Sequence, residues 1–191
     1  MFDRLHFLLQ LTRAHKIARR YFVTNGFDGA LTILGLTMGF YASGGVDIPV
    51  AISACLGAAI ALTVSGFASA YVSEAAEREQ ELKELEQALV HDLEDTAHGR
   101  AARLVPVLIG TVNGFAPFIM ALLIITPLWL SEAGMALPLA PLEASIVVAF
   151  ITLFLLGAFI GTVSHRFWLW SGLRTLLIGL LTAGIILIIG A

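Results

Sequence analysis

Residues 104–130 contain no charged side chain, and this run is longer than the ~20 residues that a helix needs to cross the hydrocarbon core of a bilayer. The rest of the chain has a similar character, since 58% of its 191 residues are hydrophobic and only 13% are charged. A water-soluble domain carries about 25% charged residues. The sequence therefore predicts an all-α membrane protein whose first partner is the lipid bilayer.

Five apolar segments are long enough to be transmembrane helices: residues 22–43, 48–72, 104–130, 142–163 and 168–190. All 11 Lys and Arg residues precede the first span, separate the second from the third, or lie close to the turn between the fourth and fifth. Loops 44–47 and 131–141 contain none. Because basic residues mark the cytoplasmic side, we expect a cytoplasmic N-terminus and a C-terminus outside.

This topology divides the chain into four segments: 1–21 (basic), 22–72 (spans one and two), 73–103 (acidic helix and turn, cytosolic) and 104–191 (spans three to five). The basic segment is either an amphipathic helix on the inner membrane surface or a flank that only fixes topology, and both interpretations stay open. We expect a multi-pass protein with no organelle-targeting segment, in the plasma membrane if the source is prokaryotic.

Small residues are frequent in the predicted spans. Three glycine pairs have the four-residue spacing that lets two helices approach closely: Gly35 with Gly39, Gly110 with Gly114, and Gly157 with Gly161. A short echo also links the first span to the third, since TNGFDG at 24–29 is similar to VNGFAP at 112–117. Six residues do not establish an internal duplication.

Asp28 is a carboxylate inside the first span, where an unpaired charge is costly and usually functional. At 100° per residue, four residues with small or hydroxyl side chains project within about 40° of it: Thr24, Thr32, Gly35 and Gly39. We expect this stripe to face protein and to line a polar path between helices. Alternatively, Asp28 caps a helix that starts after Asn25 and Gly26; the two roles are compatible.

Asn113 lies at a similar depth in the third span and is followed by Pro117. A proline leaves the carbonyl group four residues earlier without its helical hydrogen bond, and here that carbonyl belongs to Asn113 itself. The Asn113 amide and carbonyl are therefore candidate oxygen ligands near Asp28. The alternative is that Asn113 ties helices together at a kink.

The segment 73–98 contains nine acidic and two basic residues and is rich in helix formers, which predicts one acidic helix. Its leucines follow a 3-4-4 spacing typical of a helix-pairing seam: Leu82, Leu85, Leu89 and Leu93. Glu74, Glu77, Glu81 and Glu84 lie near one another on the helix and repel unless a cation lies between them. Together with His91 they are candidate metal ligands, and oxygen ligands suit Mg, Mn and Ca whereas imidazole extends the choice to Fe and Zn. The alternative is a solvated acidic face, since one helix alone cannot make its carboxylates converge.

The stretch FVTNGFDGALTILGLTMGFYASG at 22–44, the Gly/Ala-rich second span and SEAAEREQELKELEQ at 73–87 together resemble the vacuolar iron transporter family. Asp28-Gly29 matches the Asp-Gly of that family's first span, and Ser73-Glu74 matches the start of its acidic cytosolic segment. The layout resembles a prokaryotic-type member with a shortened cytosolic metal-binding segment.

The resemblance implies a homodimer that moves Fe(II), and often Mn(II), out of the cytosol in exchange for protons. Asp28 would be the ligand in an ion path at the dimer interface, and the four glutamates would belong to the metal-collecting segment. Thr63 is expected to belong to the transport pathway together with Asp28, Thr24, Thr32 and Asn113. It stands where the family often has a methionine, so Mn(II) is less disfavoured here relative to Fe(II). Met38 and Met120 are the other candidate sulfur ligands. The metal is cargo, and no resident cofactor is expected.

A different class of function is a membrane-anchored binding or regulatory protein that recruits a partner through the leucine seam of its acidic helix. An enzyme is not expected, because His91, His98 and His165 have no paired nucleophile at a recognisable spacing. A nucleic-acid partner is not expected either.

Overall fold

The computed structural model describes residues 14–93 and 95–190. It contains five α-helices, which we number in chain order: α1 Ala14–Ala42, α2 Ile48–Leu89, α3 Ala97–Glu132, α4 Pro141–Val163 and α5 Trp168–Gly190. The described part of the chain has no β-strand. The predicted all-α class is therefore confirmed.

Four of the helices, α2 to α5, are long and apolar enough to cross a membrane. The chain is accordingly a multi-pass membrane protein whose apolar helices suit contact with lipid. Helix α1 has 29 residues, but Thr24, Asn25 and Asp28 interrupt its apolar sequence. It nevertheless packs against each of the other four helices. Helix α1 thus has a central position in the bundle.

The acidic segment is an extension of α2 and not a separate helix. Helix α2 runs for 42 residues without a break and ends at Leu89, nine residues before the predicted end at 98. Val90 takes a left-handed conformation with φ 51°, and its N–H donates to the carbonyl of Glu86, which stops the helix. The side chain of Thr96 accepts from the N–H of His98 and so caps the start of α3.

Helix α1 also begins earlier than predicted, at Ala14, so the last third of the predicted basic segment is continuous with the first span. The remainder of that segment, residues 1–13, lies outside the described residues. The two interpretations of residues 1–21 therefore both remain predictions.

The helices alternate in direction, so that α1, α3 and α5 begin at one end of the bundle, where α4 ends and the acidic part of α2 projects. A small apolar cluster at this end joins three helices through Ile17, Tyr21, Ala70 and Val105. At the opposite end, α1 and α5 finish side by side, at Ala42 and Gly190. We call the first the basic end, because every Lys and Arg of the described residues lies near it or beyond it.

The core lies where α1, α3 and α4 meet the outer part of α2, away from the basic end. Its largest fully buried apolar side chains are Ile33, Leu34, Cys55, Ile124, Ile125, Leu128 and Leu153. Met38 and Met120, the candidate sulfur ligands, belong to this same cluster and are 5% and 6% exposed.

Two asparagines join three helices at one level of the bundle. The side-chain amide of Asn25 in α1 donates to the backbone carbonyl of Asn113 in α3 over 2.7 Å. The side-chain amide of Asn113 then donates to the carbonyl of Gly66 in α2, also over 2.7 Å. Pro117 has no N–H, so the Asn113 carbonyl lacks its helical donor and is available to Asn25. We call this chain of bonds the asparagine ladder.

Glycines let the helices come close enough to form the ladder. A Cβ atom at Gly29 would lie 2.5 Å from the Cα of Pro117, and one at Gly114 would lie 2.6 Å from the carbonyl oxygen of Thr63. The predicted pairs Gly110 with Gly114 and Gly157 with Gly161 are confirmed as close contacts, with α2 and α5 respectively. The pair in α1 makes no close contact among the described residues, since a Cβ at Gly39 would have nothing within 4 Å and one at Gly35 would meet only Ile186, at 3.8 Å.

Replacing Gly29 by alanine should separate α1 from α3, because the new methyl group would overlap backbone that has no rotamer to adopt. We expect Gly29→Ala to destabilise the protein by about 1–3 kcal/mol. The measurement is thermal unfolding in detergent. Gly184→Ala is the matched control, since a Cβ there has open space; equal melting temperatures for the two variants would contradict the packing described.

Candidate functional site

The stripe of α1 that carries Asp28 faces away from the core. Thr24 and Asp28 are exposed, Thr32 is partly buried, and Gly39 borders open space. We call this stripe, completed by Gly35, the Asp28 face. The Asp28 carboxylate makes no hydrogen bond or ion pair with any residue in 14–93 or 95–190. As expected, these residues share one face. The described residues do not cover that face around Asp28, although Ile186 of α5 lies 3.8 Å from where a Cβ atom of Gly35 would be.

The capping interpretation of Asp28 is wrong. Helix α1 begins at Ala14 and is continuous past Asp28, so the neighbouring backbone amides already have helical acceptors. Asp28 lies next to Gly29, which packs on Pro117 in the middle of α3. Asp28 therefore lies beside the middle of α3, several turns from either end of that apolar helix.

The other two predicted pathway residues lie elsewhere. The Thr63 hydroxyl donates to the carbonyl of Ala59 over 2.7 Å, and its own carbonyl packs against Gly114. Asn113 is 5% exposed. Its backbone carbonyl and its side-chain NH₂ group are both used in the asparagine ladder. The structure therefore favours the interpretation of Asn113 as a tie between helices. Thr63 and Asn113 belong to the α2–α3 contact and not to the Asp28 face.

The four predicted glutamate ligands fall into two groups. Glu74 is 2% exposed and lies 3.4 Å from the guanidinium of Arg78, which also pairs with Glu81 at 2.6 Å. Glu77 and Glu84 are exposed, and Glu84 accepts a hydrogen bond from Gln80. The cation that relieves the repulsion between Glu74 and Glu81 is therefore an arginine of the same helix.

His91 is exposed in the turn after α2, beyond the glutamates. It borders a depression of about 520 Å³ that Lys83 and Asp92 also line. Lys83 donates a hydrogen bond to Glu79 over 2.6 Å, and this contact lowers the pKa of the Glu79 carboxyl. No three His, Cys, Asp or Glu side chains within the described ranges are grouped closely enough to hold a metal ion. A single chain does not bring the predicted ligands together.

One cleft beside the Asp28 face is lined by basic residues. It has a volume of about 500 Å³ and lies between the start of α1 and the end of α4, with Lys16, Arg19, Arg20 and Thr24 on its α1 side. Thr24 is one turn from Asp28 along the helix. The positive charges of Lys16, Arg19 and Arg20 would repel a cation that approached Asp28 through this cleft.

No family model matches the chain, and no solved structure matches it. Over 158 residues, which are 81% of this chain and 79% of the relative, the sequence is 32% identical to the uncharacterized protein MJ0645 of Methanocaldococcus jannaschii. The chain belongs to the MJ0645 family. A relationship over four fifths of both proteins covers most of the helices described above.

In this member of the MJ0645 family, α2 also presents exposed small residues that its sequence alone does not single out. Gly57, Ala61, Ser65 and Ala68 are all exposed and recur at intervals of four, four and three residues. Ser65 adjoins Gly66, whose position is in contact with the side chain of Asn25 on α1. The spacing of these residues can be seen in the sequence. The sequence does not, however, distinguish the exposed face of α2 from its buried face.

The buried ion pair gives a testable consequence for the MJ0645-family fold. Replacing Arg78 by methionine would leave Glu74 buried without a cation, and we expect a loss of about 3 kcal/mol in the free energy of unfolding. The double variant Glu74→Gln/Arg78→Met should recover part of that loss. Unfolding in detergent gives the values.

Lys83→Met is the matched control, because the Lys83–Glu79 pair has the same i,i+4 spacing on the same helix but is exposed on both sides. It should change stability little. If Arg78→Met lowers the free energy of unfolding no more than Lys83→Met does, the buried Glu74–Arg78 ion pair does not stabilise the fold.

Proposed function

We propose that this protein is a divalent metal ion transporter, similar to the vacuolar iron transporters, that works as a homodimer. The observation that carries the proposal is the exposed carboxylate of Asp28 on α1, a helix that packs against all four membrane-crossing helices, without a partner among the described residues. Such a group is stable only if protein, water or a cation compensates its charge. A second copy of the chain, placed against the same face, supplies that environment.

The surface around Asp28 suits a close helix contact. Gly39 on α1 and Gly57 on α2 border open space. Exposed small or hydroxyl side chains lie near both glycines, and on α2 the exposed Val64 lies among them. Small residues allow backbones to approach in membranes, where packing and hydrogen bonds drive association. Two copies of Asp28 brought together in this way form a pair of carboxylates able to bind a divalent cation between them.

In this proposal α1 is a fifth membrane span and the basic end is cytoplasmic, in accordance with the distribution of Lys and Arg. The acidic extension of α2 then projects into the cytosol beneath the dimer. Its exposed carboxylates, including Glu77 and Glu84, raise the local cation concentration. The basic cleft between α1 and α4, which Thr24 also lines, does not serve as the entrance in this proposal, because its Lys and Arg side chains repel cations.

Ion exchange follows from the chemistry of a carboxylate at low dielectric, which is stabilised either by a bound cation or by a proton. Export of a metal ion in exchange for protons uses these two states alternately. The ligands on offer are oxygen atoms, because Met38 and Met120 are buried in the core. Oxygen ligands favour Mn(II), with Fe(II) as the second candidate cargo.

Transport by reconstituted protein tests the role of Asp28. Vesicles containing the wild-type chain should take up Mn(II) or Fe(II) when a proton gradient is imposed, as measured with a trapped metal-sensitive dye. Asp28→Asn should reduce uptake to the level of protein-free vesicles, since the amide keeps the shape but loses the charge. Asp47→Asn, at the exposed opposite end of the bundle, is the control and should transport normally. Wild-type rates in Asp28→Asn would refute the proposal.

The dimer interface is tested separately by cysteine cross-linking in membranes. Cys55 is the only native cysteine and is fully buried, so the wild-type chain provides a silent background. Gly39→Cys should give a disulfide-linked dimer on mild oxidation. Gly184→Cys, whose position also borders open space but on α5, should stay monomeric. Cross-linking of Gly184→Cys without cross-linking of Gly39→Cys would contradict the proposed interface, because the dimer would then form through α5 and not through the Asp28 face.

One observation favours the alternative function, a membrane-anchored protein that recruits a partner. Leu85 and Leu89 are 40% and 60% exposed on the α2 extension, whereas Leu93 of the same predicted seam is buried. The two exposed leucines are available to a second helix. Leu85→Cys discriminates between the two functions. Disulfide-linked dimers of Leu85→Cys would indicate that two copies of this chain pair through the leucines. If Leu85→Cys gives no such dimers while Gly39→Cys does, the leucines are available to a different protein.

A further inference from the structure

Two arginines at the basic end have no counter-ion in the described part of the chain. Arg166 precedes α5 and Arg174 lies within it, and both are exposed. Neither forms an ion pair with any residue in the described ranges. No acidic residue follows Glu143 in the chain. Their charges are therefore open to compensation by a group from outside the protein.

The two arginines share one depression. It has a volume of about 350 Å³ and is lined by Arg166, Phe167, Trp170, Ser171 and Arg174. The last four recur at the three- and four-residue spacing of a single helix face. Arg174 lies six residues after the start of α5, about 9 Å along the helix axis. Side chains on a helix lean toward its N-terminus, so the Arg174 guanidinium extends back toward Arg166.

The chemistry of this depression specifies an anion that carries apolar chains. Two guanidinium groups, a serine hydroxyl and the N-terminus of α5 all favour a phosphate group. The surrounding surface is apolar and open, since Phe167 is 59% exposed, Trp170 63% and Leu177 51%. Tryptophan is typical of the boundary between headgroups and hydrocarbon. A free anion would satisfy the arginines but would leave this apolar surface without a partner.

We propose that this depression is a binding site for an anionic phospholipid of the leaflet at the basic end, with its phosphate between Arg166 and Arg174 and its acyl chains along Trp170 and Leu177. This site is separate from the Asp28 face and does not depend on the transport function. A bound lipid at this turn would fasten the junction of α4 and α5 to the membrane surface.

Native mass spectrometry of the purified chain tests the site. The protein is released from micelles doped with phosphatidylglycerol or, separately, with phosphatidylcholine. Wild type should retain phosphatidylglycerol preferentially. Arg166→Gln/Arg174→Gln should lose roughly tenfold or more of that preference, given the contribution of each basic residue near an anionic headgroup. If this double variant cannot be purified, Arg174→Gln alone should lose a smaller part of it.

The control removes the same charge from the other basic cleft. Lys16→Gln/Arg20→Gln should keep the wild-type preference, although it lowers the net charge at the same end by the same amount. An equal loss in both double variants would mean that only overall charge matters and would overturn the site. So would full retention of phosphatidylglycerol by Arg166→Gln/Arg174→Gln.

Inorganic phosphate distinguishes the two sources of a phosphate group. Added at millimolar concentration before release, it should leave the phosphatidylglycerol adducts of wild type in place, since it cannot replace the contacts of the acyl chains. Displacement of the lipid by phosphate would show that the depression takes a free anion, and would overturn the assignment to a lipid.

Discussion

In a bilayer, a backbone carbonyl that loses its helical donor must find another within the protein, and Pro117 creates that situation for Asn113. Asn25 meets the need from α1, and Asn113 in turn binds the carbonyl of Gly66 on α2. These two hydrogen bonds fix the positions of α1, α2 and α3 relative to one another along the axis of the bundle. They also require Gly29 and Gly66 at the contact points, because a side chain at either would hold the helices apart.

The position of Asp28 follows from this arrangement. Asn25 and Gly29 face α3. At 100° per residue, Asp28 projects about 60° from Asn25 and about 100° from Gly29, so it lies at the edge of this contact, where it is exposed. The bundle thus buries amide groups that it satisfies internally and leaves on its surface a carboxylate that the described residues do not satisfy. In the proposed dimer, the second copy provides a polar and closely packed environment for that carboxylate.

The limits of α4 and α5 nearly coincide with those predicted from hydropathy and charge, 142–163 and 168–190. The prediction works because every helix that crosses lipid must present an apolar surface of about the same length. That Asp28, Thr24 and Thr32 share one face was likewise predictable from helical periodicity, but the direction of that face, away from the core, was not. The burial of Glu74 was not, since it depends on Arg78 and on packing at the base of the bundle. The role of Asn113 remained open in the sequence because it requires knowing which helix lies opposite.

The most direct test of this account is the location of bound Mn(II) relative to Asp28. Anomalous diffraction from crystals grown in lipid with Mn(II) would locate the ion without ambiguity. The account predicts a peak within ligand distance of the Asp28 carboxylates of two adjacent copies, at the level of the Asn25–Asn113 bond. A structure in which Asp28 faces lipid, or in which two copies meet through α4 and α5 with no ion near Asp28, would contradict it.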